Sequence, residues 1–164
     1  MRSQHSNQGF AHQTNYSPRQ EDPYQERMKV NEPVNCPDCG AVYHQGRWRW
    51  GARAANSEDH CCPACSRIRD NIPAGFLTIS GKFFLDNKDE ILSLVRNHEH
   101  KEKTQRPLER IMDIEESPLG VTIRFTGIHI TRSSGEAINS AYKGNLKIDH
   151  NERSGQTRVT WLRD

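Results

Sequence analysis

Four of the five cysteines in the chain form two Cys-x-x-Cys pairs, a spacing that lets both thiolates of one turn reach the same metal ion. The first pair is Cys36 and Cys39, and the second is Cys62 and Cys65. Each pair carries a proline after its first cysteine, and the backbone N–H groups of such turns point at the sulfurs. Because four thiolates complete a tetrahedral shell, the spacing predicts one Zn²⁺ ion held by these residues.

The predicted ion is structural, since a closed shell of four thiolates leaves no coordination position for an activated water. Its binding energy would support the folding of roughly forty residues, which cannot bury enough apolar surface alone. Iron in the same geometry and a redox role for the two cysteine pairs are the alternatives. Two proline-containing pairs on either side of a polar loop favour metal binding over redox chemistry.

The fifth cysteine, Cys61, leaves the ligand assignment of the second pair open. A Cys61 ligand would pair with Cys65 across three intervening residues, whereas Cys62 repeats the Cys-Pro-x-Cys pattern of the first pair. We therefore expect Cys62 to be the ligand and Cys61 to be a small buried or half-buried thiol. His44 or His60 could replace a thiolate in a rearranged site, although each is more often a surface residue.

The segment between the two cysteine pairs combines arginine with tryptophan and has no acidic residue from position 41 through 57. Arginine pairs with phosphate through two N–H groups and tryptophan stacks on unpaired bases, so this segment has the chemistry of single-stranded RNA recognition. Alternatively, the tryptophans pack the zinc module or dock it on the rest of the chain, and the arginines are solvated. The candidate binding residues are Arg47, Trp48, Arg49, Trp50 and Arg53.

Length and composition limit the architecture and the compartment. With 164 residues, of which 33% are hydrophobic, the chain accommodates one ordinary core and one small appended module. No apolar run after Met1 resembles a signal peptide and no stretch approaches the ~18 apolar residues of a membrane span, so we expect a cytoplasmic protein. A reducing compartment favours metal binding over disulfides. The formal net charge of +2 does not by itself indicate a nucleic-acid binder.

Three regions follow from the composition along the chain. Residues 1–33 mix Gln, Asn, Ser, Pro and Tyr without periodicity and predict a disordered tail. Residues 34–72 form the predicted zinc ribbon with its two cysteine knuckles. Residues 73–164 alternate apolar runs with helix-capping patterns and predict an α+β domain.

The α+β domain contains strand patterns separated by two helix patterns. Predicted strands cover residues 76–85, with a break at Gly81 as an option, and residues 110–116, 121–126, 146–150 and 158–162. This order of strand, helix, strand, strand, helix and strand, with one extra C-terminal strand, matches the split βαβ arrangement of ferredoxin-like sandwiches. Such a sheet would bury one face under the helices and leave the other open to a partner.

Capping residues predict where the two helices begin. Asp86 or Asn87 caps the first helix, Asn87 with Glu90 fits a capping box, and the helix ends by Pro107. The second has a capping box at Ser133 and Glu136, although it could begin earlier, near position 128.

Four short motifs carry a resemblance to known proteins: Cys-Pro-x-Cys-Gly at 36–40, Cys-Pro-Ala-Cys at 62–65, Pro-Leu-Glu-Arg-Ile at 107–111 and Ala-Tyr-Lys-Gly at 141–144. Through them, the chain from Cys36 to Asp164 resembles a family of small bacterial zinc-ribbon proteins of unassigned function. The stretch at 65–74 is also remotely similar to the zinc-rich N-terminal region of the adaptor that accompanies the archaeal and eukaryotic large ribosomal subunit during export. That region carries more cysteine knuckles than the two present here. The resemblance implies an RNA-linked or ribosome-linked role.

Catalytic motifs do not occur in the sequence: we find no phosphate-binding loop, Gly-x-Ser-x-Gly elbow or His-Glu-x-x-His. We therefore predict a non-enzymatic zinc-binding module that binds RNA or a ribonucleoprotein such as the ribosome. The alternative is a protein–protein interaction adaptor whose Trp/Arg loop inserts into a protein partner. A hydrolase or nucleotide-dependent enzyme would require polar residues that converge on the sandwich.

Overall fold

The computed structural model describes residues 23–26 and 29–164. Most of the predicted tail, namely residues 1–22 and 27–28, lies outside the described residues. One helical turn, α1 (Pro23–Glu26), precedes the ribbon, and the Tyr24 hydroxyl donates a hydrogen bond to Asp70 at 2.9 Å. Val30 already packs against the ribbon core. The chain therefore contacts the ribbon before position 34, where the sequence predicts the ribbon to begin.

We call residues 34–72, the predicted zinc ribbon, simply the ribbon. Short strands in it build a small sheet around the cysteines. Its strands are β1 (Val34–Asn35), β2 (Val42–His44), β3 (Arg47–Arg49) and β4 (Glu58–Asp59), in the spatial order β3-β2-β1-β4. Helix α2 (Pro63–Asp70) follows. It begins there because the Cys62 sulfur accepts a hydrogen bond from the Cys65 N–H at 3.4 Å and proline suits the first helical turn.

A second, five-stranded sheet forms the rest of the mixed α+β fold. Its strands are β5 (Gly75–Ser80), β6 (Ile111–Ser117), β7 (Gly120–Phe125), β8 (Asn145–Asn151) and β9 (Gln156–Leu162), in the order β6-β7-β5-β9-β8. The last strand lies inside the sheet, where it pairs parallel with β5, and β8 takes the edge. In a simple ferredoxin-like sheet, the strand after the second helix would pair antiparallel with β5.

The physical reason for this placement is the difference in polarity between the last two strands. Alternate residues of β9 are buried, namely Thr157, Val159 and Trp161, whereas no residue of β8 is fully buried. A central strand loses more solvent contact than an edge strand, so the more apolar partner of the hairpin occupies the inner position.

The predicted strand at 76–85 ends at Ser80, which confirms the optional break at Gly81, and the next residues form the short helix α3 (Lys82–Asp86) instead of a continued strand. Gly81 makes the change of direction because its φ of +104° is accessible to glycine, and a Cβ there would lie 2.1 Å from the Arg163 carbonyl oxygen. The strand pattern of Phe83 to Leu85 was misleading because a short apolar run has no distinctive period.

Two long helices cover one face of the large sheet: α4 (Lys88–Gln105) and α5 (Ile128–Tyr142). The core between these helices and the sheet is mainly apolar, and its largest buried side chains include Leu77, Ile79, Phe84, Ile91, Ile123, Phe125, Ile130, Ile138 and Trp161. In the part of the chain described here, no helix combines the length and apolarity needed to cross a membrane.

The start of α5 shows how a distant residue replaces a local cap. The helix begins at Ile128, which confirms the earlier of the two starts that the sequence allowed and not the cap at Ser133, and Gly127 at the N-cap has no side chain. The Glu109 carboxylate instead accepts a hydrogen bond from the Ile130 N–H at 3.0 Å. Nor does Asn87 cap α4 with its side chain, because its amide donates to the Phe83 carbonyl at 2.9 Å.

We expect Glu109→Ala to destabilise the protein by about 1–2 kcal/mol, since the N-terminus of α5 would lose its acceptor. The melting temperature should fall by about 3–6 °C in a thermal unfolding experiment. Glu136→Ala removes the exposed acid of the predicted capping box and should change the melting temperature little. Equal losses in the two variants would contradict the cap assignment.

Candidate metal centre

The sulfurs of Cys36, Cys39, Cys62 and Cys65 lie within 4.8 Å of one another, and all five cysteines are free of disulfides. The separation between the sulfurs of Cys39 and Cys62 is 3.8 Å. Four thiolates around Zn²⁺ at ~2.3 Å would form a tetrahedron with edges of ~3.8 Å, so the size and chemistry of this donor set fit a tetrahedral thiolate site. The four cysteines can therefore hold a metal ion.

Tight turns in the two knuckles bring the four sulfurs close together. In the first knuckle, the Gly40 N–H donates to the Cys36 carbonyl at 2.9 Å, and Gly40 adopts a φ of +79°. In the second, Cys62 lies directly before α2 and Cys65 in its first turn. The Cys62 N–H also donates to the Cys36 sulfur at 3.3 Å, which links the two knuckles.

Burial and hydrogen bonding divide the thiols into two groups. Burial raises the pKa of Cys62 well above its ordinary value, and it raises the pKa of Cys65 to about 11 although Arg110 opposes the shift. Burial also acts on Cys36, but backbone N–H groups donating to its sulfur outweigh it and lower its pKa to about 7. If all four sulfurs were thiolates in so small a volume they would repel one another, and a divalent metal ion among them would offset that repulsion.

Arg110 is a functional residue that the spacing of the cysteines did not reveal. Its guanidinium is buried and donates to three of the four sulfurs: Cys39 at 3.2 Å, Cys65 at 3.3 Å and Cys62 at 3.5 Å. Its Nε also donates to the Pro107 carbonyl at 2.6 Å. A metal dication held by four thiolates would carry a net charge of −2, which Arg110 would partly neutralise while its hydrogen bonds orient the sulfurs.

Because Arg110 directly precedes β6, it also connects the metal centre to the large sheet. Its only signal in the sequence was its place in the Pro-Leu-Glu-Arg-Ile motif at 107–111. The residue before it, Glu109, caps α5. Two consecutive side chains thus anchor the ribbon and a core helix to the same short segment.

Cys61 lies beside the four-sulfur cluster but outside it. Its thiol is half-buried and donates to the Asp38 carboxylate at 3.3 Å, and burial raises its pKa. It belongs to a second group of potential ligands, together with Asp38 and Cys36. Among the described residues, neither His44 nor His60 joins either group.

The two tryptophans of the candidate binding loop have structural contacts. Trp48 is 8% exposed, and its ring lies against Tyr43 with 5.4 Å between the ring centroids. Trp50 is 37% exposed, and its indole N–H donates to the Lys103 carbonyl of α4 at 2.6 Å. Trp48 therefore packs the ribbon and Trp50 docks it on the α+β part, which is the structural alternative considered for this segment.

The Trp48 indole nitrogen is buried and has no hydrogen-bond partner among the residues that the structure describes. Leaving a buried donor unpaired costs about 1–3 kcal/mol, so the position of this ring has to be stabilised by its packing.

The three arginines of the loop differ in their surroundings. Arg47 and Arg49 are exposed and flank buried Trp48 on β3, and Arg49 donates to the His44 carbonyl at 3.3 Å. Arg53 forms an exposed ion pair with Asp59 at 2.9 Å. At the adjacent turn, the Glu32 carboxylate accepts hydrogen bonds from the N–H groups at positions 45 and 46. Within the described ranges, Arg47 and Arg49 have no carboxylate partner.

A scan against protein-family models and a search of the curated proteins each gave no match for this chain. The resemblance to zinc-ribbon proteins stays a prediction from four short motifs. The metal centre and the surfaces around it are thus the basis for inferring a function.

Proposed function

We propose that this protein is a non-enzymatic zinc-binding module whose ribbon binds RNA or a ribonucleoprotein such as the ribosome. The observation that carries the proposal is the arrangement of β3. Trp48 anchors this strand in the ribbon core, and Arg47 and Arg49 on either side of it project to solvent. Guanidinium groups held in this way can pair with phosphates through two N–H groups.

Zinc is the metal that suits the site best. Soft thiolate ligands select Zn²⁺, Cu⁺ or iron–sulfur clusters, and a mononuclear tetrahedral site of this size favours Zn²⁺ among them. Three of the four ligand residues are buried, and all four coordination positions are taken by protein sulfurs. Such an ion has no position for a substrate or an activated water, so its role is to hold the ribbon in its folded shape.

A protein partner is the second candidate, but it would not use the tryptophans. Trp48 is buried and Trp50 is hydrogen-bonded to α4, so neither side chain is free to insert into another protein. The feature that favours a protein contact is the exposed pair Ile68 and Ile72 at the end of α2, which are 45% and 46% exposed.

The test is the affinity for a fluorescent single-stranded RNA at several salt concentrations. We expect the double variant Arg47→Ala and Arg49→Ala to bind about tenfold more weakly and to lower the salt slope by about 2, because two phosphate contacts disappear. The control is Arg132→Ala with Arg153→Ala, which removes the same charge from exposed positions on α5 and the β8-β9 turn.

Equal effects of the two double variants would show that net charge alone attracts RNA, and would contradict a site on β3. Recovery of a salt-resistant protein partner without RNA, lost on Ile68→Ser, would support the adaptor function instead.

A further inference from the structure

A groove of about 480 Å³ lies between the β2-β3 hairpin of the ribbon and the segment that follows α4. This volume is within the range of ~300–1,000 Å³ that is common for small-ligand sites. The ribbon contributes Tyr43, Arg47 and Trp48, and the other wall comes from residues 105–109. We propose that this groove binds one unstacked nucleotide of a single-stranded RNA, an inference that rests on the proposed function.

The charges around the groove suit a phosphate. Arg47 lines it from the ribbon and Arg106 from the opposite wall, and both are exposed. Arg106 pairs with the Glu102 carboxylate at 3.9 Å, a long distance for an ion pair. The acid in the groove wall, Glu109, accepts a hydrogen bond from the N-terminus of α5, and burial raises its pKa. Two guanidinium groups therefore line the groove from opposite walls. The carboxylates beside them are engaged elsewhere: Glu109 accepts from the N-terminus of α5, and Glu32 accepts from the N–H groups at positions 45 and 46.

The remaining groups of the groove suit a base. Tyr43 is half-buried, so part of its ring stays accessible for stacking, a contact that tolerates any base. The exposed amide of Gln105 offers both a donor and an acceptor for the edge of a base. Trp48, whose indole N–H is unpaired within the described part of the chain, lies in the ribbon wall with Tyr43.

The groove lies between the two parts of the structure that the metal centre joins. Arg110, which donates to the cysteine sulfurs, follows the wall segment directly, and Trp50 fixes the end of α4 to the ribbon. The relative position of the two walls therefore depends on the folded ribbon. A nucleotide in the groove contacts both walls. It can therefore meet Arg47 on one side and Arg106 on the other, although the two residues are far apart in the sequence.

The test changes the charge at Gln105, an exposed helix-end residue whose substitution leaves the core intact. With a fluorescent 12-residue oligouridylate, we expect Gln105→Glu to weaken binding about fivefold and Gln105→Arg to strengthen it by a similar factor. The controls are Asn97→Glu and Asn97→Arg, which make the same charge changes at an exposed position about two turns away on α4. They should change the affinity less than twofold.

Photocrosslinking of the same RNA, made with 4-thiouridine, locates the base independently. We expect the crosslinked peptide to contain Tyr43, and Arg106→Ala to reduce the yield. If the protein binds RNA but the variants at 105 and 97 behave alike and the crosslink lies elsewhere, the groove is not the site and the proposed function stands. If the protein binds no RNA even at low salt, the proposed function and the groove inference are both wrong.

Discussion

Replacing Cys62 with serine is expected to have the largest effect: it should abolish stoichiometric zinc binding and unfold the ribbon. Replacing Cys61 with serine should do neither. Cys62 is fully buried within the four-sulfur cluster, while Cys61 lies half-buried outside it. Structural zinc contributes ~10–16 kcal/mol of apparent binding free energy in small zinc modules, which exceeds what so short a segment gains from its apolar core.

Serine is an informative replacement at position 62 because it separates two roles of the cysteine. The Cys62 sulfur accepts a hydrogen bond from the Cys65 N–H at the start of α2, and a serine hydroxyl serves equally well as an N-cap. Loss of the ribbon in Cys62→Ser therefore reports the metal ligand and not the cap. Cys36→Ser, which changes the other knuckle, should give the same result.

The measurements are zinc content per chain and hydrogen exchange of the β2-β3 hairpin and of the large sheet. We expect fast exchange in the hairpin of Cys62→Ser and slow exchange in the central strands β5, β7 and β9, whose core does not include the metal. Full zinc content in both Cys36→Ser and Cys62→Ser would overturn the ligand assignment. Loss of zinc in Cys61→Ser would show that Cys61 takes the place of Cys62.

Replacing Arg110 is expected to have the second largest effect, a loss of zinc affinity of about 10- to 100-fold. The guanidinium donates to three ligand sulfurs and is buried, so Arg110→Met removes their hydrogen bonds and the neutralising charge together. Arg110→Lys keeps the charge but loses the planar fork that reaches several sulfurs at once, so it should restore only part of the affinity.

Competition with a chromophoric zinc chelator measures this effect directly. The matched control is Arg69→Met, since Arg69 pairs with Asp38 in the first knuckle at 2.6 Å and is exposed. Hydrogen exchange of β5 and β7 separates a weakened metal site from a general failure to fold. Chelator resistance of Arg110→Met equal to that of the unaltered protein would show that Arg110 only fills space between the ribbon and the sheet.

The four clustered cysteines and the order of the main elements could be predicted from the sequence because both depend on local spacing. Two Cys-x-x-Cys pairs specify a turn geometry that hardly depends on the rest of the chain. Alternating apolar residues located β7 to within one residue. These signals lie within a few residues of the features that they predict.

Local spacing left two structures open where a contact with a different segment made the choice. Ser133 and Glu136 have the pattern of a capping box, yet α5 takes the earlier start near position 128 that the sequence also allowed, because Glu109 supplies the acceptor. Phe83 to Leu85 resemble a continued strand, but the conformation of Gly81 and the contact with Arg163 redirect the chain. In each case, a partner far along the chain decided between two locally acceptable structures.

The sequence by itself determined the kind of metal site, the mixed α+β class and the sequential order of the strands, because periodicity and ligand spacing are local properties. Only the tertiary structure decided that Arg110 supports the sulfurs, that Trp48 and Trp50 pack and dock the ribbon, and that β9 takes the inner position. These outcomes depend on burial and on contacts between segments tens of residues apart, which no short window of sequence contains.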